Sequence, residues 1–472
     1  MQRRLHTLAP IATALLLSAC ASFSPDGGMS VTADIAGRGL HKNVVAIRDA
    51  DDAAAVRAEV AHLLKRPLTA DAAVQVALIN NRGLQAAYNE LGIADAVRVR
   101  QSLPPNPSID IVRVAGGGQS EFDGQIVASI LALATLPARS DIAADRFRHS
   151  QLAAALATLR LAAETRRAYY RAVAAQQLVG LLEQANDASA TAAKLAKRLG
   201  ESGALNKLDQ AREQAFHAEL AAQLATARLR AATERERLIR ALGLWGGDLA
   251  FKIPDRLPPL PKRAPALRAV EQTAVSHRVD LQMARIELAA LAKSYGLTNA
   301  TRFINVLDAG YANKITTDGG GTVHEHGFAV AFEVPIFDFG ETRLREAEQT
   351  YMQALNRLAQ KAIDVRSQAR EAYRTYRAAY DIAGHYQREV LPLRQIVSDE
   401  MMLHYGAMQV DVFALLTEAR QKTAANVSTV EALRDFWLAS SDLSAVLIGG
   451  DPAGASEAAA IAMPASGEAS GH

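Results

Sequence analysis

Cysteine is almost absent from this chain: Cys20 stands alone among 472 residues. A single thiol excludes a disulfide framework and any zinc site built from several cysteines. Aromatic residues are scarce at 5%, although apolar residues reach 49% with alanine dominating. A compact core normally uses more large side chains, so this composition fits long helices packed closely side by side. Charge of one sign is also missing, with 52 Lys+Arg against 50 Asp+Glu. Arg3 and Arg4 lie in a leader-like segment, and without them the count is 50 against 50. That balance argues against a nucleic-acid partner held by a basic face.

Long hydrophobic runs are missing too. The best, Ile126 to Leu136, is interrupted by Ser129 and Thr135 and falls far short of the roughly 20 apolar residues a membrane helix needs. If the chain crosses a membrane, it must do so with strands. Catalytic signatures are absent: there is no HExxH, no GxSxG and no Walker sequence. The glycine runs at Gly116 to Gly118 and Gly319 to Gly321 lack the following helix and the Lys-Ser/Thr of a phosphate-cradling loop. No enzyme activity and no cofactor are expected.

What is present begins with the first twenty residues. Arg3 and Arg4 give a short positive start, and Leu8 to Ala19 is an apolar segment ending in Leu17-Ser18-Ala19-Cys20. This resembles a bacterial lipobox, in which the cysteine is acylated and becomes the mature N-terminus. Residues 1–19 are then a lipoprotein signal peptide and Cys20 the lipidated residue. An ordinary signal peptide with a chance cysteine is the other reading. Residue 21 is Ala rather than Asp, which by analogy with bacterial lipoproteins favours sorting to the outer membrane. The lipid would add membrane affinity on the order of 0.8 kcal/mol per buried CH₂.

The rest of the chain is written twice. Ala77/Ala274, Leu84/Leu281, Gln85/Gln282, Ala87/Ala284, Glu90/Glu287 and Leu91/Leu288 coincide at an offset of 197, and Pro137 matches Pro335 at 198. Leu208 to Arg212 is similar to Leu416 to Arg420 at an offset of 208. The expected units are residues 68–243 and 264–449, separated by a Pro-rich linker over 244–263. Residues 20–67 are expected as a lipid-anchored strap and 450–472 as a disordered tail. Each unit opens with a helix, 69–102 or 264–300, continues through two strand-like segments and ends in two very long helices. The strands are expected near 107–115, 124–135, 302–314 and 325–336. Only the last alternates cleanly, Phe328, Val330, Phe332 and Val334 against Ala329, Ala331 and Glu333.

The long helices are expected near 138–200, 204–243, 341–404 and 409–447. Leu208, Ala211, Ala215, Ala218, Ala222, Ala225, Leu229 and Ala232 step by three and four, a coiled-coil seam. Pro392 should kink or break the third helix. Four strands cannot close a barrel, and an open sheet edge cannot face lipid, so membrane entry requires an oligomer.

Three stretches carry a resemblance to the TolC-like outer-membrane efflux family. They are Leu68 to Asn81 followed by Leu84, Leu103-Pro104-Pro105-Asn106-Pro107-Ser108, and Val334-Pro335-Ile336-Phe337-Asp338-Phe339-Gly340 with Arg343. The turn regions ending at Arg212 and Arg420 also fit. The resemblance implies a mostly α fold with a small β part: a homotrimer with a 12-stranded outer-membrane barrel continued by a periplasmic helical barrel. It implies passive export fed by a periplasmic adaptor and an inner-membrane pump, with the pump choosing the substrate. The family's periplasmic entrance is narrowed by acids after the second hairpin turn, where rings of like charge favour cations. By that resemblance Glu418 aligns with the deeper acid, while Leu415 stands one turn earlier. Asp411 lies nearer the tip, and Asp209 is comparable in the first hairpin. Tyr405 and Arg420 are candidates for the hydrogen bonds that hold the end closed. Ordinary solvated or coiled-coil charges are the alternative for all five.

Pro137, Pro335 and Gly340 are expected to serve the strand-to-helix junctions. His324 and His326 share a strand face and could meet one metal ion, but no third ligand is near in sequence, and a solvated external loop is the plainer account. The competing overall reading is a lipid-anchored periplasmic coiled-coil scaffold or adaptor that does not span the membrane.

Overall fold

The computed structural model describes residues 22–264 and 269–449. The leader, Cys20 and the expected tail lie outside the described residues. Helix α1 covers Ser30–Leu40, α2 Ala50–Leu64, α3 Ala70–Asn80 and α4 Arg82–Ser102. Strands β1 (Ser108–Gly116) and β2 (Gln119–Ser129) follow, then the short α5 (Ile130–Ala134). Two long helices close the first half, α6 (Leu136–Glu201) and α7 (Lys207–Leu242). The second half repeats the order with α8 (Val270–His277), α9 (Val279–Ala300), β3 (Val306–Asp318) and β4 (Gly321–Glu333). It ends with α10 (Glu341–His385), a π-helical turn at Tyr386–Val390, α11 (Leu391–Gly406) and α12 (Val412–Ile448). Among the described residues, no helix is long and apolar enough to cross a membrane.

Several boundaries differ from the sequence-based expectation, each for a local reason. The opening helix of each half is two helices, broken at Asn81 (ψ 120°) and Arg278 (ψ 123°). The break at Asn81 has a use. Asn80 Nδ2 donates to the carbonyls of Leu242 at 3.1 Å and Gly243 at 2.8 Å, and Asn81 Nδ2 to Ala241 at 3.0 Å. These side chains cap the orphan carbonyls at the end of α7. The strand expected over 124–135 ends at Ser129, because Ile130 to Ala134 is helical and Ser129 Oγ accepts from Ala132 N at 3.4 Å. Leu and Ala there are helix formers with little β preference. The second hairpin lies about four residues off the expected strands, which tightens its tip to Gly319-Gly320. Pro392 leaves the helix unbroken: the chain widens into the π turn just upstream, where the missing N–H and ring clash are absorbed.

The described residues group into two compact units. One takes residues 22–32, 87–154 and 280–362; the other takes 33–86, 155–264, 269–279 and 363–449. The first holds the sheet, antiparallel in the order β1-β2-β3-β4, so β1 and β4 are its edges. The second holds an apolar core that includes Leu68, Val76, Tyr169, Val173, Leu238, Leu242, Tyr376 and Phe436. Aromatic side chains reach out of it to the linker: Tyr380 Oη donates to Pro261 O at 3.0 Å and Trp437 Nε1 to Pro258 O at 3.0 Å.

The seam expected along α7 is not the one buried. Leu208, Ala211, Ala215, Ala218, Ala222, Ala225, Leu229 and Ala232 are all exposed, while Glu213, Leu220, Leu224 and Leu238 are buried. Leu220 and Leu224 pack with Val179 and Leu182 of α6. Leucine buries more apolar area than alanine and so selects the face that packs inside the chain. The alanine face is left open.

Candidate functional site

Strand pairing sorts the sheet into two faces, since directly opposed residues point to the same side. Ile109, Ile126, Tyr311 and Phe328 form one register row across all four strands. Phe328 is 88% exposed, and Tyr311 meets it edge-on at 5.6 Å between ring centres. Leu307, Phe332, Val330, Ile111, Phe122 and Ile315 extend the same face. The opposite face carries Asp110, Gln125, Glu121, Asp123, Asp308 and Glu325, with Lys314 paired to Glu121 at 2.5 Å. One side is thus apolar and the other polar and mainly acidic. Every residue of the edge strands β1 and β4 is exposed on both faces.

His324 and His326 stand on the apolar side of β4, opposite Ile315 and Asn313, near the Gly319-Gly320 tip. Among the described residues, no group of three or more His, Cys, Asp or Glu could hold a metal ion.

The junction out of β4 is tightly determined. Phe339 N donates to Pro335 O at 2.7 Å, and Phe339 and Gly340 both take left-handed backbone, at φ 51° and 74°. A Cβ at Gly340 would lie 2.2 Å from Arg302 O, so only glycine fits. Asp338 Oδ1 accepts from Gly340 N at 3.0 Å and its other oxygen from the Thr342 hydroxyl, starting α10. Ile336, Phe337 and Phe339 are exposed around this turn, Phe337 at 98%. Pro137 sits in the first turn of α6, where its missing N–H costs nothing.

The helical turns at 202–206 and 407–411 carry the remaining sequence-derived candidates. Asp411 caps α12, its carboxylate accepting from Ala414 N at 2.8 Å, and is exposed. Asp209 lies in the first turn of α7, bonded to Asn206 Nδ2 at 2.7 Å and to Arg212 at 3.1 Å. Tyr405 is 40% exposed at the end of α11. Glu418 is 5% exposed and meets Arg394 of α11 at 3.2 Å. Its Oε1 is buried without a partner. Arg420 reaches α7, where Nη2 donates to Glu213 Oε1 at 2.8 Å and the guanidinium stacks over Phe216 at 3.9 Å. Glu213 is 4% exposed. Sequence reasoning passed over Glu213 and Arg394. The sequence carries no local signal for Glu213, whose neighbours one turn away are Asp209, Gln210, Phe216 and His217.

Residues 270–398 match the family model described as outer membrane efflux protein. No curated protein matches the chain. Among solved structures, the outer-membrane channel OprN is similar at a TM-score of 0.67 and 17% identity, over 92% of this chain and 97% of that one. The CmeC outer membrane channel of Campylobacter jejuni follows at 0.65 and 15%, over 81% of this chain and 86% of that one. The MtrE outer membrane channel of Neisseria gonorrhoeae in its open state gives 0.59 and 16%, over 80% of this chain and 89% of that one. The duplicated strand-pair and long-hairpin arrangement is therefore the fold of outer-membrane channels. Part of its second half, residues 270–398, is similar to the outer membrane efflux protein family.

Proposed function

We propose that the chain is one subunit of a trimeric outer-membrane export duct of a tripartite efflux or secretion system. The observation that carries this reading is the four-stranded sheet, apolar on one face, charged on the other and open at both edges. An open edge cannot sit in hydrocarbon. Three copies joined β4 to β1 close twelve strands, with the row through Phe328 toward lipid and the row through Glu325 toward water. Phe337 and Phe339 then form part of an aromatic girdle where the strands leave the bilayer. The open alanine face of α7 lets helices of neighbouring copies approach closely in a periplasmic tube. A periplasmic adaptor and an inner-membrane pump feed the tube, which moves cargo passively. Cys20 carries the lipid that anchors the N-terminal strap to the outer membrane.

Around the helical turns, Asp411 and Asp209 serve as charges at the periplasmic entrance. Glu418, Glu213, Arg394 and Arg420 serve as braces between helices, and Tyr405 as a contact near the tip. Single-channel conductance of the purified protein in a planar bilayer, with its oligomer mass, tests the reading. A trimer of small cation-selective conductance is expected. A monomer without conductance overturns it in favour of a lipid-anchored scaffold.

A further inference from the structure

The strap from Ser22 to Thr32 is held by a ladder of contacts on α6 and α4. Thr32 Oγ1 donates to Gln151 O at 3.4 Å, and Gln151 Nε2 donates to Gly28 O at 3.1 Å. Gly28 has left-handed backbone at φ 83°, and a Cβ there would lie 2.6 Å from the Phe147 ring. The Arg98 guanidinium of α4 lies over the same ring, 5.3 Å from its centroid. With Asp95, Arg98 grips the end of the strap. Ser24 N donates to Asp95 Oδ2 at 2.8 Å, and Arg98 Nη2 donates to Ser22 O at 2.8 Å. Arg98 Nε donates to Asp95 Oδ1 at 2.9 Å and closes the set.

The ladder has a direction. As residue number falls from 32 to 22, the contacts move from Gln151 to Phe147 and Arg98, toward the start of α6 at Leu136 and so toward the sheet. The end of α4 meets the start of α6 there, with the Ser102 and Ser140 hydroxyls 2.9 Å apart. The grip also has a cost. Asp95 is 3% exposed, and a carboxylate is buried at a loss unless it is paired and hydrogen-bonded. Phe23, held between the two bonded serines, stays 63% exposed. The clamp therefore fixes the path of a chain end that would otherwise be loose, rather than adding Phe23 to the core.

That path leads to a defined level. Ser102 lies four residues beyond Arg98, about 6 Å along the helix. Two peptide units separate Ser22 from Cys20, a reach of about 7 Å. Cys20 is thus within reach of the end of α4, where Leu103 is 37% exposed and the chain enters β1 with Ile109 and Ile111 at 64% and 65%.

We propose that Asp95, Arg98 and Phe147 form a docking site for the end of the strap, which delivers the acyl chains of Cys20 to the helix-to-strand junction at Leu103. There the chains lie against Ile109 and Ile111 on the apolar face of β1. An unclamped strap would instead leave the lipid free to wander over the membrane surface around the tube. The inference rests on the reading that Cys20 carries a lipid and that the sheet lies in the bilayer.

The test uses the full chain made in cells fed a fatty acid that carries a diazirine. The label enters the acyl chains of Cys20, and irradiation couples each chain to what it touches. Mass spectrometry of a tryptic digest then identifies the joined peptides. A pair linking residue 20 to residues 101–113, which hold Leu103, Ile109 and Ile111, is expected. Asp95→Asn with Arg98→Gln removes the clamp without leaving an unpaired buried charge, and should lower the yield of this pair at least tenfold. Gly28→Ala pushes the strap off Phe147 and leaves α4 untouched, and should do the same. Heat-modifiable oligomer should be recovered from both variants, which separates release of the strap from misfolding. An equal yield of the pair in wild type and variants would overturn the clamp and leave the lipid and duct readings standing. So would a labelled Cys20 that never couples to residues 101–113. A chain without any acyl label would overturn the lipid reading of Cys20 and this inference with it.

Discussion

Arg420 Nη2 and Glu213 Oε1 lie 2.8 Å apart, joining α12 to α7 across 207 residues of sequence. The acid is almost fully buried while the guanidinium stays one-third exposed. Removing the arginine leaves Glu213 without its counter-charge. Breaking a fully buried pair costs about 3–5 kcal/mol, and the partial exposure of Arg420 reduces the expected loss to about 2 kcal/mol. Arg420→Ala should therefore speed amide exchange around residues 213 and 420 by roughly thirtyfold. Pairing it with Glu213→Leu should restore most of the protection, because an apolar replacement leaves no buried charge. Equal exchange in wild type and Arg420→Ala would show that the pair does not brace these helices.

The turn at Gly340 gives a sharper stability test. A methyl group there meets Arg302 O at 2.2 Å in backbone that already disfavours side chains. Gly340→Ala should cost upward of about 3 kcal/mol and deplete assembled, heat-modifiable oligomer on gels. Gly319 has open space around it, so Gly319→Ala serves as the tolerated control. Normal assembly of Gly340→Ala would mean that the strand-to-helix turn can relax.

Much of this architecture can be read from the sequence, and the remainder fails for definable reasons. The Pro335 to Gly340 turn is legible because proline and glycine act on their own backbone. Two duplicated halves are legible because order survives when residues drift. The Arg420 to Glu213 pair is not, because its members are far apart in sequence and each reads as an ordinary helix-surface charge. Which face of α7 packs inside the chain is not legible, because alanine repeats at helical spacing on more than one face and only Leu220 and Leu224 decide it. The break at Asn81 hides inside a helical pattern, since its purpose is to cap α7, more than 150 residues away.

His149 makes stability depend on pH. Burial lowers its pKa below the ordinary 6.5, Lys361 acts in the same sense and Glu287 opposes it. The folded state therefore binds the proton less readily than the unfolded chain. The stabilising contribution is fully present above pH 6.5 and is lost as pH falls below that value toward the folded pKa. His149→Gln should flatten this part of the stability profile, measured by denaturant midpoints from pH 7.5 to 5. An unchanged slope would assign it to another group.

Asp411 and Glu418 should separate in electrical measurements. Asp411 is exposed and its cap geometry survives in Asn, so Asp411→Asn removes charge and little else. It should lower the preference for cations, read as a shift of reversal potential in asymmetric salt. Glu418 is buried against Arg394, and Glu418→Gln should alter selectivity less while raising the frequency of open events. A larger selectivity change in Glu418→Gln would place that acid on the pore surface and Asp411 off it.

Neighbouring residues 328 and 329 distinguish the two faces of the sheet. Phe328 belongs to the apolar row with Tyr311 and Ile126, and Ala329 to the row with Gly310 and Val127 on the polar side. An arginine facing hydrocarbon near mid-bilayer costs about 2–4 kcal/mol per chain, and one facing the lumen stays in water. Phe328→Arg should sharply reduce oligomer recovered from outer membranes. Ala329→Arg, which adds more bulk at the adjacent position, should assemble normally and reduce cation selectivity of the open duct. The difference depends only on which way the pleat points. If both variants failed alike, local packing rather than lipid exposure would be the cause. If Phe328→Arg assembled and Ala329→Arg did not, the sheet would face the bilayer with its charged side, which no closed barrel permits.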